Sequence, residues 1–133
     1  MAISTIQDLR EHLQWAIQLE HSTIPPYLTA LYSLKADSNV EARHIITSVM
    51  IEEMLHMTLA ANVLNAIGGE PSLDRPDFLL KYPAYLPHSN KAFKVSLEPF
   101  SKGAVEAFMK IEKPSHQGDP PEDDNYETIG QFY

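Results

Sequence analysis

Apolar side chains recur at intervals of three and four residues through the first part of the chain, the spacing that buries one face of a helix. The pattern predicts helix A over about residues 5–35. Pro25 and Pro26 interrupt it, and neither can donate the backbone hydrogen bond that a helix interior requires. We therefore expect helix A to kink or restart at this pair, with Thr23 capping the restarted segment.

A second helical pattern, helix B, covers about residues 39–67. Ser38 and Glu41 have the spacing of a capping box, in which two side chains satisfy free backbone amides at a helix start. Gly68 and Gly69 then mark the end of the helix. Because the turn between helices A and B is short, we expect the two to pack antiparallel.

Beyond helix B the pattern changes. Residues 68–100 contain five prolines among scattered aromatic residues, which predicts a long, packed crossover. Ser101 is placed to cap helix C, over about residues 102–112. The polar, acidic stretch 115–125 predicts a loop, and apolar residues return at 126–133. We interpret this last stretch as the start of a truncated or swapped element.

The composition narrows the class of protein. At 133 residues the chain fits a single all-α domain (1–133), an antiparallel helical bundle. Its net charge of -8 argues against a nucleic-acid partner. Cysteine is absent, which excludes disulfides, iron–sulfur clusters and cysteine zinc sites. The chain has neither the apolar run of a membrane helix nor a secretory signal at its start, so we expect a cytoplasmic protein without membrane partners.

Ionisable residues interrupt the apolar faces of both long helices. Glu20 lies within the apolar stripe of helix A, and Glu53 and His56 lie within that of helix B. Buried ionisable groups are unfavourable unless they are paired or bind a metal. Di-metal helical bundles use Glu-x-x-His motifs, whose side chains share one face, together with single glutamates from other helices. Glu20 would be the single glutamate of helix A, and Glu112 that of helix C.

Each of these residues also has a simpler interpretation. Glu53 and His56 can form a hydrogen-bonded core pair without metal. Glu20 can form a salt bridge or act as a cap beside the prolines, and Glu112 can be a solvated helix end. A second Glu-x-x-His, beginning at Glu41, lies in the polar first turn of helix B, and we expect it to lie outside the site. If a metal is bound, oxygen donors with imidazole favour iron, with manganese or zinc as alternatives.

Five stretches of the sequence are distinctive, and they extend over nearly the whole chain: 13–28, 51–57, 62–69, 99–101 and 128–133. They resemble the ferritin-like domain family associated with the iminophenylpyruvate dimer synthases of bacterial bisindole pathways. The resemblance implies a ferritin-like fold and a metal site at Glu20 and the Glu53-x-x-His56 motif. Members of that family take part in those pathways, which oxidatively couple aromatic imino acids, and other members are free-standing proteins.

In that family, the last of these stretches leads into a fourth long helix. Here residue 133 is the last, so we expect a bundle that lacks its fourth core helix and the second Glu-x-x-His. Three helices leave an apolar groove open to water. We therefore expect either a fragment or, as we favour, a homo-oligomer, at least a dimer, in which a second subunit fills the groove.

These features predict a ferritin-like metal-binding protein with one or two iron ions. As an enzyme it would be a metal-dependent oxidoreductase acting on a small aromatic or amino-acid-derived substrate; no catalytic residue is assigned. The first alternative is a non-catalytic helical assembly module with a structural Glu/His core. The second is a zinc-dependent hydrolase that acts through an activated water.

Overall fold

A computed structural model of the chain describes residues 3–118 and 125–133. In this part of the chain the helices are α1 (Ile6–Ser33), α2 (Val40–Ala66), α3 (Lys102–Ile111) and α4 (Ile129–Phe132). The described residues form no named strand, and their β-pairing is limited to isolated bridges. The all-α prediction is confirmed. Within the same residues, no helix is both long enough and apolar enough to cross a membrane.

Helix α1 runs without a break through both prolines, so the expected restart at this pair is wrong. The backbone amide that Pro26 lacks would have bonded the carbonyl of Ser22, one turn earlier. The Tyr82 hydroxyl donates to that carbonyl instead, at 2.6 Å. Thr23 is therefore not a cap but a mid-helix residue, whose hydroxyl donates to the Glu20 carbonyl at 2.7 Å.

The start of α2 also differs from its prediction. Its N-cap is Asn39, which adopts a left-handed conformation with φ of 54° and makes no capping hydrogen bond through its side chain. The predicted capping box of Ser38 and Glu41 is therefore wrong. The residues before the helix form a turn in which the Ser38 amide donates to the Lys35 carbonyl at 3.2 Å, and the first helical bond runs from the Arg43 amide to the Asn39 carbonyl at 2.9 Å.

Helices α1 and α2 form an antiparallel pair, joined by the short connection 34–39. Ile17 of α1 and Leu64 of α2 are fully buried in one core cluster. The Arg10 guanidinium of α1 donates to the Ile67 carbonyl, with N–O distances of 2.6 and 3.1 Å. This contact satisfies a carbonyl that the end of α2 leaves without a helical partner.

The crossover between α2 and α3 packs along α1. The side-chain amide of Gln14 donates to the Ser72 carbonyl at 2.8 Å and accepts from the Ser72 amide at 2.9 Å. Farther along, Ala84 and Val95 pair through two backbone hydrogen bonds. Phe78 is buried in the same cluster as Ile17. These contacts hold the proline-rich segment against the helix pair.

Helix α3 closes the second part of the core. Ser101 caps it as predicted, since its hydroxyl accepts from the backbone amide three residues later at 3.1 Å. The rings of Tyr27 and Phe108 pack with their centres 4.5 Å apart. Ile111 and Tyr126 complete this cluster and are almost fully buried.

The end of the chain returns to the helix bundle. Residues 119–124 of the predicted acidic loop 115–125 lie outside the described residues. After this stretch the Tyr126 hydroxyl donates to the Pro87 carbonyl at 2.9 Å. The short helix α4 follows its N-cap Thr128, whose backbone amide donates to the side-chain oxygen of Gln131 at 3.1 Å. Residues 126–133 thus fold back onto their own chain.

Candidate metal centre

Three of the four predicted ligands lie together between α1 and α2. Glu20 is 2% exposed and Glu53 is 5% exposed, while the His56 side chain is 50% exposed. The His56 Nδ1 atom lies 3.6 Å from a Glu20 carboxylate oxygen and 3.9 Å from one of Glu53. One donor atom from each residue can be chosen so that all three lie within 4.8 Å of one another. This group could bind a metal ion, with donors from both helices.

The fourth predicted ligand, Glu112, lies at the edge of this group. It is the C-cap residue of α3, and the Tyr27 hydroxyl donates to its carboxylate at 2.5 Å. It is not among the residues within the 4.8 Å grouping. It does line the same open cavity of about 240 Å³ as Glu20 and Glu53. The structure therefore places Glu112 beside the site, already engaged by a tyrosine.

Each buried carboxylate also has a hydroxyl partner. The Thr23 hydroxyl contacts a carboxylate oxygen of Glu53, and the Tyr133 hydroxyl donates to Glu20. Such partners restrict the orientation of a ligand side chain, as they do around known metal sites. Thr23 and Tyr133 therefore belong to the candidate site.

Sequence reasoning did not predict that the hydroxyl groups of Thr23, Tyr27 and Tyr133 contact the carboxylates of the site. Tyr27 lies seven residues after Glu20, nearly two helical turns, so helix periodicity alone could have placed the two on one face. Thr23 lies three residues after Glu20 and could have been found in the same way. Tyr133 is 113 positions away from Glu20 in sequence, and no local pattern indicates that contact.

The electrostatics of the site favour a cation or protons. Burial raises the pKa of Glu53 to about 8; the Thr23 contact lowers this pKa, and the charges of Glu20 and Glu112 raise it. Burial likewise raises the pKa of Glu20, against the hydrogen bond from Tyr133. Buried carboxylates close to one another are unstable as anions unless something positive neutralises them. A metal ion would do so, as would protonation.

An apolar cleft of about 380 Å³ opens next to the site, on the exposed side of His56. Its size falls within the range of small-molecule pockets. It is lined by Leu13, His56, Leu59, Ala60, Val63 and Tyr133. His56 and Tyr133 line both this cleft and the carboxylate cavity, so the two spaces adjoin.

The second Glu-x-x-His motif lies elsewhere. Glu41 and His44 are exposed in the first turns of α2. Glu41 and Glu53 are twelve positions apart, which corresponds to about 18 Å along the helix. The motif therefore lies outside the three-residue group, as the sequence analysis expects.

Comparisons with known proteins identify the class of this chain. Residues 13–133 match the model of the family described as Ferritin-like. Neither the curated proteins nor the solved structures contain a match. The family match covers almost the whole chain and agrees with the all-α fold and with the two long helices that carry the Glu/Glu/His group. The chain belongs to the ferritin-like family.

Proposed function

We propose that Glu20, Glu53 and His56 bind a redox-active metal, one or two ions of iron, and that the protein uses it to oxidise a small organic substrate. The observation that carries the proposal is the burial of two carboxylates from separate helices within 4.8 Å of an imidazole. Both carboxylates lie within ion-pair distance of His56, which is charged only when protonated.

The donor set fits the proposed metal. Carboxylate oxygens with imidazole suit iron and manganese, and zinc accepts the same donors. Glu112 would join as a fourth ligand if its carboxylate turned from Tyr27 toward the cavity that it shares with Glu20. A second ion would need this further carboxylate, because three donor residues are few for two ions.

A bound iron ion supplies one-electron redox chemistry toward dioxygen or peroxide. The protein's own residues set the conditions for it. With the ion bound, Glu20 and Glu53 would supply negative charge from buried positions, and their contacts with Tyr133 and Thr23 restrict the carboxylate orientations. The half-exposed His56 leaves one side of the site open to small molecules.

The adjoining cleft supports an apolar or aromatic substrate. Leu13, Leu59 and Val63 supply hydrophobic walls, and the Tyr133 ring borders the carboxylates. The resemblance to the family associated with iminophenylpyruvate dimer synthases points the same way, to an aromatic compound derived from an amino acid. Such a ligand would place its ring in the cleft and its polar end toward His56.

A second candidate, a metal-free structural core, is favoured by the hydroxyl contacts. Thr23, Tyr133 and Tyr27 each contact one carboxyl group of the site. With Glu53 and Glu20 protonated, these contacts would satisfy the polar groups without a metal. The protein would then be a non-catalytic helical module.

Anaerobic addition of Fe(II), followed by oxygen, separates the two candidates. For the enzyme we expect saturable iron binding, an absorbance change on oxidation, and faster oxygen consumption when an aromatic imino or amino acid is added. Glu53→Gln should abolish all three. The matched control is Glu52→Gln, because Glu52 is the exposed neighbour on the same helix and should retain them. Equal responses of both variants would refute the assignment.

A further inference from the structure

The outer face of α2 carries a row of exposed apolar side chains. Ile51, Leu55, Leu59 and Val63, here called the outer stripe, follow one another at four-residue intervals and are between 47% and 55% exposed. Side chains at this spacing form a continuous ridge on a helix. Most of the stripe points away from the side of α2 that packs against α1. That buried side is formed by Ile46, Glu53, Ala60 and Leu64.

The outer stripe is long enough to act as an interface. Ile51 and Val63 are twelve positions apart, about 18 Å along the helix. Within the described residues, α1 is the helix against which α2 packs extensively. Contiguous exposed apolar surface of this kind marks interaction sites in soluble proteins.

The polar residues beside the stripe indicate what kind of partner fits. The structure describes all of residues 48–66. Among them, Glu52 is the one Asp, Glu, Lys or Arg residue whose side chain is exposed. Its carboxylate accepts from the Ser48 hydroxyl at 3.2 Å, so it is already partnered within the chain. A partner helix for this face therefore needs to be mainly apolar, with a polar group opposite Glu52.

A second α2 meets this requirement when it runs antiparallel. If a two-fold axis passes at the level of residue 57, Ile51 faces Val63 and Leu55 faces Leu59. Glu52 then faces Asn62, an amide that can donate to it. The two Glu52 side chains lie ten residues apart along the helix, about 15 Å, which exceeds the screening length in physiological salt. A parallel pairing would instead oppose the two carboxylates.

We propose that a second copy of this chain docks antiparallel on the outer stripe. Such an isologous pairing is the commonest symmetry of soluble oligomers. Leu59 and Val63 also line the cleft beside His56, so the second copy forms a wall on the open side of that cleft. The proposal does not depend on metal binding, because its contacts involve none of the carboxylates that would hold the ion.

Light scattering coupled to size exclusion tests the pairing in the presence of a metal chelator. We expect a mass of twice the 15.0 kDa chain at high concentration. Leu55→Glu should weaken association at least tenfold, with the helical circular dichroism retained, because Leu55 is half exposed. The matched control is Met109→Glu on α3, whose side chain is 69% exposed outside the stripe and which should still dimerise.

A wild-type protein that stays monomeric at every concentration would overturn the proposal. So would a Leu55→Glu variant that associates as well as Met109→Glu, since another face would then hold the copies together.

Cysteine cross-linking tests the orientation, because the natural chain has no cysteine. In the antiparallel pairing, Leu55→Cys faces Leu59→Cys of the other copy. An equimolar mixture of the two variants should therefore form disulfide-linked dimers faster than either variant alone. Faster cross-linking of each single variant with itself would show a parallel pairing and overturn the antiparallel arrangement.

Discussion

Stability of the metal-free protein should fall as pH rises from about 5 to about 9. Burial raises the pKa of Glu53 from its ordinary 4.5 to about 8, and it also raises the pKa of Glu20. Between these two pKa values, 4.5 and about 8, the folded protein keeps a proton on Glu53 that the unfolded chain releases. Each step up in pH therefore favours unfolding. The stabilisation is complete below about pH 4.5 and is lost as pH passes through about 8.

The size of the effect follows from the pKa. Moving from 4.5 to about 8 spans about three and a half pH units, which at about 1.36 kcal/mol each sets an upper limit near 5 kcal/mol. His56, beside the two carboxylates, is 50% exposed, and solvent screening at such a partly open site reduces the effect. We therefore expect a loss of about 2–3 kcal/mol in the free energy of unfolding, a substantial part of a typical total.

Urea denaturation in chelator at several pH values between 5 and 9 measures this change. Glu53→Gln replaces the acid with a neutral side chain of similar shape, so its stability should vary with pH by at least about 1 kcal/mol less than that of the wild type. Glu52→Gln, at the exposed neighbouring position, should keep the wild-type slope. Saturating Mn(II) should flatten the wild-type dependence, because the ion replaces the proton. Identical pH dependence in wild type and Glu53→Gln would refute this reasoning.

Two further predictions concern hydroxyl groups, and urea denaturation measures both. Tyr27→Phe removes the donor to the Glu112 carboxylate and should destabilise the fold by about 1–2 kcal/mol, whereas Tyr32→Phe, at a 78% exposed position, should change stability by no more than about 0.5 kcal/mol. Thr5→Ala removes the cap of α1 and should cost about 1 kcal/mol, whereas Ser38→Ala should be nearly neutral because Ser38 does not cap α2. Equal losses within either pair would contradict the structure.

Hydrophobic periodicity was enough to predict the two long helices and the clustering of Glu20, Glu53 and His56 between them. Glu20, Glu53 and His56 attract notice because they occupy positions where the pattern calls for apolar residues. The structure brings these three together, since two antiparallel helices turn their patterned faces toward each other. Whether they bind a metal is a separate question, and that part stays a proposal.

Two of the features that sequence reasoning missed depend on distant partners, and a third depends on the local backbone. The proline pair does not break α1, and Tyr82, which follows Ser22 by 60 positions, supplies a donor for the carbonyl that Pro26 leaves unbonded. Tyr133 reaches Glu20 from the opposite end of the chain. At α2 the predicted capping box is wrong, because the helix begins after Asn39, which adopts a left-handed backbone conformation. The spacing of Ser38 and Glu41 gives no indication of that conformation.

Metal content is the most direct test of the central claim. The protein should be prepared without a metal affinity column and analysed by inductively coupled plasma mass spectrometry, as isolated and after anaerobic Fe(II) loading and desalting. We expect near-stoichiometric iron or manganese in the wild type and in Glu52→Gln, and loss of the metal in Glu53→Gln. Wild-type protein that contains no metal and takes up no iron would contradict the account and identify the Glu/Glu/His group as a structural core.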